Sequence, residues 1–289
     1  MPVRAIRRVI TAHQQLEGAG FVVRRPLPSV GLEVADPFLL IDELGPVVLR
    51  PGEAKGAPDH PHRGFETVGY LLDGEVEHED SSGHKGLLRA GDVQWMTAGA
   101  GVVHSEMPSR RLREEGGRMH GFQIWVNLPA RLKMSPPRWQ EVRAAQIPFA
   151  TTPDSFADVR VIAGEALGVR AAIDTHTPVV FQHWTLRPGA AVELPLAAEF
   201  EPMVYVFEGE ASVAGQTLRS GQLALLAAGD AVALGNTGSH AADLLLLAGV
   251  PIGEPVARYG PFVMNTHAEL VQAFHDYQTG KFGRIERRL

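Results

Sequence analysis

His60 and His62 flank Pro61, and further along the chain His104 and Glu106 flank Ser105. Alternate residues of an extended strand point to one face, so each pair aims two side chains at the same place. Two strands bringing these pairs together would present three neutral imidazoles and a carboxylate, a donor set for one divalent metal ion. An octahedral ion held this way would keep two positions for water, oxygen or substrate, and the ligand types admit Fe(II), Mn(II), Ni(II), Cu(II) and Zn(II) without choosing among them. The chain has no cysteine, which excludes thiolate ligands, disulfides and a cysteine nucleophile. A lone His-x-His is a weak signal among 12 histidines. Its weight comes from the His-x-Glu that answers it and from the strand pattern between the two.

That pattern is mostly β. Short runs of Val, Leu, Phe, Tyr and Ile recur between Gly, Pro and Asp turn signals, and helical periodicity is nearly absent before residue 266. Residues 65–72 are apolar enough for a buried strand, Asp73-Gly74 predicts a hairpin turn, and residues 75–79 alternate as the return strand. Residues 93–96 predict another strand, the Gly-rich run 98–101 leads to His104, and residues 121–128 close the set. Pro61 cannot donate to a sheet ladder, which puts its flanking histidines at a strand start or edge near a barrel mouth.

The second half repeats the plan. Residues 201–210 align with 66–75, and Arg219-Ser-Gly-Gln with Arg89-Ala-Gly-Asp, as two copies of one small barrel would. The Pro-rich stretch 133–153 reads as the linker, with a boundary near 145: residues 1–145 form a metal-binding barrel and 146–289 a second one. In the same register His60 and His62 become Pro195 and Ala197, so the second barrel is expected to be metal-free. Thr266 is an N-cap signal, and the apolar stripe after it predicts one short C-terminal helix ending by Gly280.

Other residues carry weaker signals. His78, between Glu77 and Glu79, reads first as a hydrogen-bonded structural histidine and second as a group facing the site. His84 reads as a loop residue, and His183 and His240 as structural. His120 and Gln123 fall on opposite faces of one strand, with Gln123 and Trp125 sharing a face. The basic run 110–113 reads as a solvated face. The 289 residues are enough for two cores, 45% hydrophobic and 21% charged residues are globular values, and a net charge of −6 gives no field for nucleic acid or anionic membranes. The N-terminal residues lack the apolar core of a signal peptide, and no apolar run is long enough to span a bilayer, so a cytoplasmic protein, monomeric by default, is expected.

The string HPHRGFETVGYLLDGEVEHEDSSGHKGLLRAGDVQWMTAGAGVVHSEMP closely resembles the pirins of the cupin superfamily, as do residues 121–129, 259–266 and 276–283. The resemblance implies an all-β bicupin of two facing cupin β-barrels, with Fe(II) in the first barrel, or Zn, Ni, Mn, Cu or Co in its place. It implies His60, His62, His104 and Glu106 as the metal ligands. The general cupin pattern would take Glu66 as the carboxylate ligand; the pirin variant takes Glu106, leaving Glu66 beside the ligands, a position for which the strand pattern makes His78 and Gln123 further candidates. The implied activity is that of a quercetin 2,3-dioxygenase, in which O2 and a flavonol-like substrate meet at the metal and Glu106 takes the substrate's proton. The alternative the resemblance implies is an iron-dependent regulator that binds a transcription factor or a metabolic enzyme. A zinc-dependent sugar isomerase ranks lowest, since no phosphate-binding pattern accompanies the ligands.

Overall fold

The computed structural model describes residues 1–287, which are built chiefly of antiparallel strands. They divide into two compact units. The unit that carries the His-x-His comprises residues 14–28, 33–144 and the described residues from 252 on. In its larger sheet the order runs Arg138–Val142, Val93–Thr97, Phe65–Asp73, Gly117–Asn127, Phe38–Leu49, Phe21–Leu27, then an edge strand ending at Glu17. Its smaller sheet has the order Ala57–His62, Val102–Pro108, Glu75–Asp80, Lys85–Arg89.

The other unit comprises residues 1–13, 29–32 and 145–251 and follows the same two-sheet plan. Glu201–Glu208 lies between Gln222–Leu226 and Ala242–Gly249, just as Phe65–Asp73 lies between Val93–Thr97 and Gly117–Asn127. The internal repeat in the sequence is thus a repeat of strand positions. The core of this unit contains Trp184, Val204, Leu244 and Leu246.

Two expectations are corrected here. Asp73-Gly74 does not close a hairpin: Phe65–Asp73 pairs with Val93–Thr97 and Gly117–Asn127, while Glu75–Asp80 pairs with Lys85–Arg89 and Val102–Pro108. The turn carries the chain from one sheet to the other, with Gly74 at φ 96°, where a Cβ would come within 3.0 Å of the Arg118 carbonyl oxygen.

The second correction concerns the ends of the chain, which the division into 1–145 and 146–289 does not separate correctly. Residues 1–13 belong with 145–251, because Ile6–Thr11 pairs with Gln222–Leu226, Val9 opposite Ala224, and covers an edge that would otherwise be open. The described residues from 252 on belong with the first unit, where Phe262, Met264, Leu270, Ala273 and Phe282 pack with Val103.

The expected C-terminal helix spans His267–Gln278. Thr266 Oγ1 accepts from the Glu269 N–H at 3.3 Å while Glu269 Oε2 accepts from the Thr266 N–H at 2.8 Å, a reciprocal cap that fixes the helix start. The basic run also becomes helical, over Arg110–Glu115, capped by Ser109 Oγ at 3.1 Å from the Leu112 N–H; Leu112 points inward and the arginines stay exposed.

Candidate metal centre

Three neighbouring strands of the smaller sheet bring the candidate ligands together. His60 lies opposite His104 and His62 opposite Val102 in the pairing of Ala57–His62 with Val102–Pro108. On the other side of Val102–Pro108, Glu106 lies opposite His78. Directly opposed residues project to the same face of a sheet, so His60, His62, His104, Glu106 and His78 share one face. Their ligand atoms form two overlapping groups, His60–His62–His104 and His78–His104–Glu106, each with all its atoms within 4.8 Å of one another.

The backbone holds two imidazoles in a ligating orientation. His60 Nδ1 is 2.7 Å from the Pro58 carbonyl oxygen, and His62 Nδ1 is 3.3 Å from that of Pro261. A carbonyl can only accept, so these partners assign the proton to Nδ1 and leave a lone pair on each Nε2. The two Nε2 atoms are 3.1 Å apart. Two lone pairs this close repel each other, and a cation between them removes the repulsion. Burial, followed by the neighbouring imidazole, holds His62 well below the usual histidine range, and burial lowers His60 as well, so both are neutral as ligation requires.

His104 has no exposed surface and no hydrogen-bond partner at either ring nitrogen. An unpartnered buried polar group costs about 1–3 kcal/mol, and a metal ion is a partner for such a nitrogen. Enclosure pushes the half-buried Glu106 carboxyl up to about 7, against the opposing hydrogen bond from Gln123 Nε2 at 3.2 Å to Oε2. The donor set and its environment therefore fit a divalent cation.

The remaining expected residues fall in different places. Gln123 touches Glu106 and lines the cavity with Trp125, whereas His120 turns away and bonds through Nε2 to Glu43 at 2.9 Å. Glu66 is fully buried and accepts from Thr97 Oγ1 at 2.7 Å, outside both ligand groups. His78 departs from its first reading. It is 1% exposed, and neither ring nitrogen has a hydrogen-bond partner; burial, then His60 and His84, push it down to about 3. His84 lies against Asp80 Oδ2 at 3.2 Å, and His183 against Asp243 Oδ1 at 3.0 Å.

A cavity of about 550 Å³ opens beside the centre, with His60, His62 and Glu106 in its wall. Leu40, Leu71, Leu88, Met119 and Phe122 make much of the wall apolar. Trp125 meets His62 edge-on, at 5.2 Å between centroids, and carries the Arg258 guanidinium at 4.7 Å. A polar group of Arg25, Asp42 and Glu17 lies in the same wall, Arg25 Nε donating to Asp42 Oδ1 at 2.6 Å and Nη2 to Glu17 Oε1 at 2.7 Å. Sequence reasoning missed Arg25, Asp42, Arg258 and the Pro58 and Pro261 carbonyls. The string around Pro261 was visible as a family signature, but nothing in it carries side-chain chemistry.

Two strand-built units of one plan, one of them presenting converging imidazoles and a carboxylate beside an apolar cavity, define a bicupin. Residues 20–126 match the family model described as Pirin, and residues 181–283 match the Pirin C-terminal cupin domain. The chain is 41% identical to a pirin-like protein of Solanum lycopersicum over 97% of this chain and 93% of that one, and 40% identical to pirin of Homo sapiens over 95% and 92%. The crystal structure of quercetin 2,3-dioxygenase from Acinetobacter baumannii superposes with a TM-score of 0.91 at 38% identity, covering 98% of this chain and all of that one. The chain belongs to the pirin family.

Proposed function

We propose that this pirin holds one first-row divalent metal ion, Fe(II) foremost, through His60, His62, His104 and Glu106, and is a dioxygenase that cleaves flavonols such as quercetin at the 2,3 bond with O2, releasing carbon monoxide. The observation that carries the reading is the convergence of His60, His62 and His104, two with carbonyl-fixed tautomers and one buried without a partner, at the wall of a cavity large enough for a fused aromatic substrate. The similarity to the Acinetobacter baumannii quercetin 2,3-dioxygenase supports the choice of substrate class.

Bound here, the ion would act as a Lewis acid that lowers the pKa of a flavonol 3-hydroxyl. The chain supplies the rest. Glu106 accepts the hydroxyl proton on a carboxylate oxygen, and Gln123 orients that carboxylate. Trp125 and the aliphatic wall position the planar rings and exclude water from the activated enolate. Arg25, Asp42 and Glu17 offer donors and acceptors to the substrate's outer hydroxyls.

The test is oxygen consumption by protein reconstituted anaerobically with Fe(II) and then given quercetin and O2. Uptake coupled to quercetin loss, absent in His62→Ala, is the expected result. A fully metal-loaded wild type that consumes no O2 would make this a metal protein without the proposed turnover.

A further inference from the structure

Two guanidinium groups line the cavity, and their partners differ. Arg25 is engaged by carboxylates, donating through Nε to Asp42 Oδ1 at 2.6 Å and through Nη2 to Glu17 Oε1 at 2.7 Å. Arg258 has no carboxylate within salt-bridge distance among the described residues, and its hydrogen bond runs from Nη1 to the Leu39 carbonyl at 3.1 Å. A guanidinium carries five N–H donors in a planar fork, so most of those of Arg258 are left for a ligand.

The group is also held in place. It lies over the Trp125 ring at 4.7 Å from the centroid, a contact that keeps a cation against an aromatic face. Burial, then the neighbouring Arg25, lower its pKa, while Asp42 and Glu17 oppose them from a distance. A guanidinium stays charged nonetheless, so an anion that reaches it relieves the cost of enclosing an unpaired cation.

The surrounding charges set the sign of the ligand. Arg25 and Arg258 balance Asp42 and Glu17, and Lys55 balances Asp59; a divalent ion beside Glu106 then leaves one positive charge in the wall, which a monoanion cancels. Trp125 touches both Arg258 and His62, with 5.2 Å between its centroid and that of the imidazole. An anion on Arg258 therefore lies within the span of a fused-ring molecule from the ion.

We infer that Arg258 is a carboxylate-binding residue of this cavity, and that the natural substrate is an aromatic acid with a metal-seeking hydroxyl at one end and a carboxylate at the other. The inference rests on the reading that the substrate occupies this cavity. Quercetin has no carboxylate and leaves Arg258 unmatched.

The experiment compares 3-hydroxyflavone with its 2′- and 4′-carboxylates, by anaerobic equilibrium dialysis at pH 7 against the full chain, metal-free and loaded with Ni(II). At least one carboxylate is expected to bind wild type about tenfold or more tightly than the neutral parent in both forms. Arg258→Met, which keeps a long side chain on Trp125, is expected to bring that ratio to about one. Arg258→Lys, which keeps the charge and loses the fork, is expected to give an intermediate ratio and serves if the methionine variant does not fold. Equal affinities in the wild type would overturn the inference, as would a preference that survives Arg258→Met and so belongs to Lys55 or Arg25. Binding of none of the probes would overturn the cavity reading as well. Failure to bind Ni(II) would overturn the metal assignment alone, since the ratio is also read in the metal-free chain.

Discussion

Arg63 Nη1 donates to Asp276 Oδ2 at 2.9 Å across 213 positions of sequence, and both side chains are buried. Arg63 directly follows His62, and Asp276 lies in the C-terminal helix His267–Gln278. The pair thus fastens the C-terminal segment, which also supplies the Pro261 carbonyl to His62, beside the candidate centre.

Asp276 also accepts from Lys281 Nζ at 2.7 Å and Gln272 Nε2 at 2.8 Å; these bonds, Lys281 first, and Arg63 hold its carboxyl well below the ordinary 3.8. A carboxyl lowered on folding binds fewer protons in the folded than in the unfolded chain. Its stabilisation is therefore complete above about pH 4 and is lost as pH falls through the lowered value. Asp276→Asn is expected to be less stable than wild type at pH 7, with the gap narrowing as pH falls below 4. Chemical denaturation at a series of pH values measures this; a gap independent of pH would contradict it.

Lys133 is 1% exposed, and its Nζ donates to the Gly64 carbonyl at 2.8 Å, Asn127 Oδ1 at 2.7 Å and the Val263 carbonyl at 3.0 Å. Three acceptors match the three donors of an ammonium group. Lys133→Met leaves these acceptors buried without their donor and is expected to cost roughly 3 kcal/mol. Thermal melting of the metal-free protein would show a fall of about 6–12 °C. A change under 2 °C would mean that the acceptors find other donors.

Gly69 lines the cavity, and a Cβ there would lie 3.6 Å from Gln123 Oε1 and 3.8 Å from Leu88 Cδ2, ordinary contact distances. Gly69→Ala is therefore expected to fold normally, whereas Gly69→Leu would project into the cavity. Metal content should be unchanged in both, while KM for quercetin rises about tenfold or more in the leucine variant. Steady-state kinetics and elemental analysis separate the two effects. Loss of metal in Gly69→Leu would mean that the cavity wall and the ligands do not act independently.

The shared face of the His-x-His and His-x-Glu pairs was legible because a strand's period of two fixes which residues point together, and the repeat was legible because both copies keep the same turn glycines and apolar runs. The exchange of chain ends was not. An edge strand such as Ile6–Thr11 carries no mark of which sheet it will join, and its pairing with Gln222–Leu226 is a long-range outcome. The Pro58 and Pro261 carbonyls were hidden for a different reason, since any residue can present a backbone oxygen. His78 was misread first as a hydrogen-bonded residue because alternation shows a side chain's face but not its partner. Its place opposite Glu106 appears only once the register is known.

The central claim is that one metal ion is held by His60, His62, His104 and Glu106. Its most direct test is the metal content of wild type and His104→Ala after equilibration with Fe(II) under anaerobic conditions and removal of unbound ion. One ion per chain in the wild type and less than a tenth of that in the variant, with the fold retained by circular dichroism, is the predicted result. One ion per chain in both proteins would contradict it.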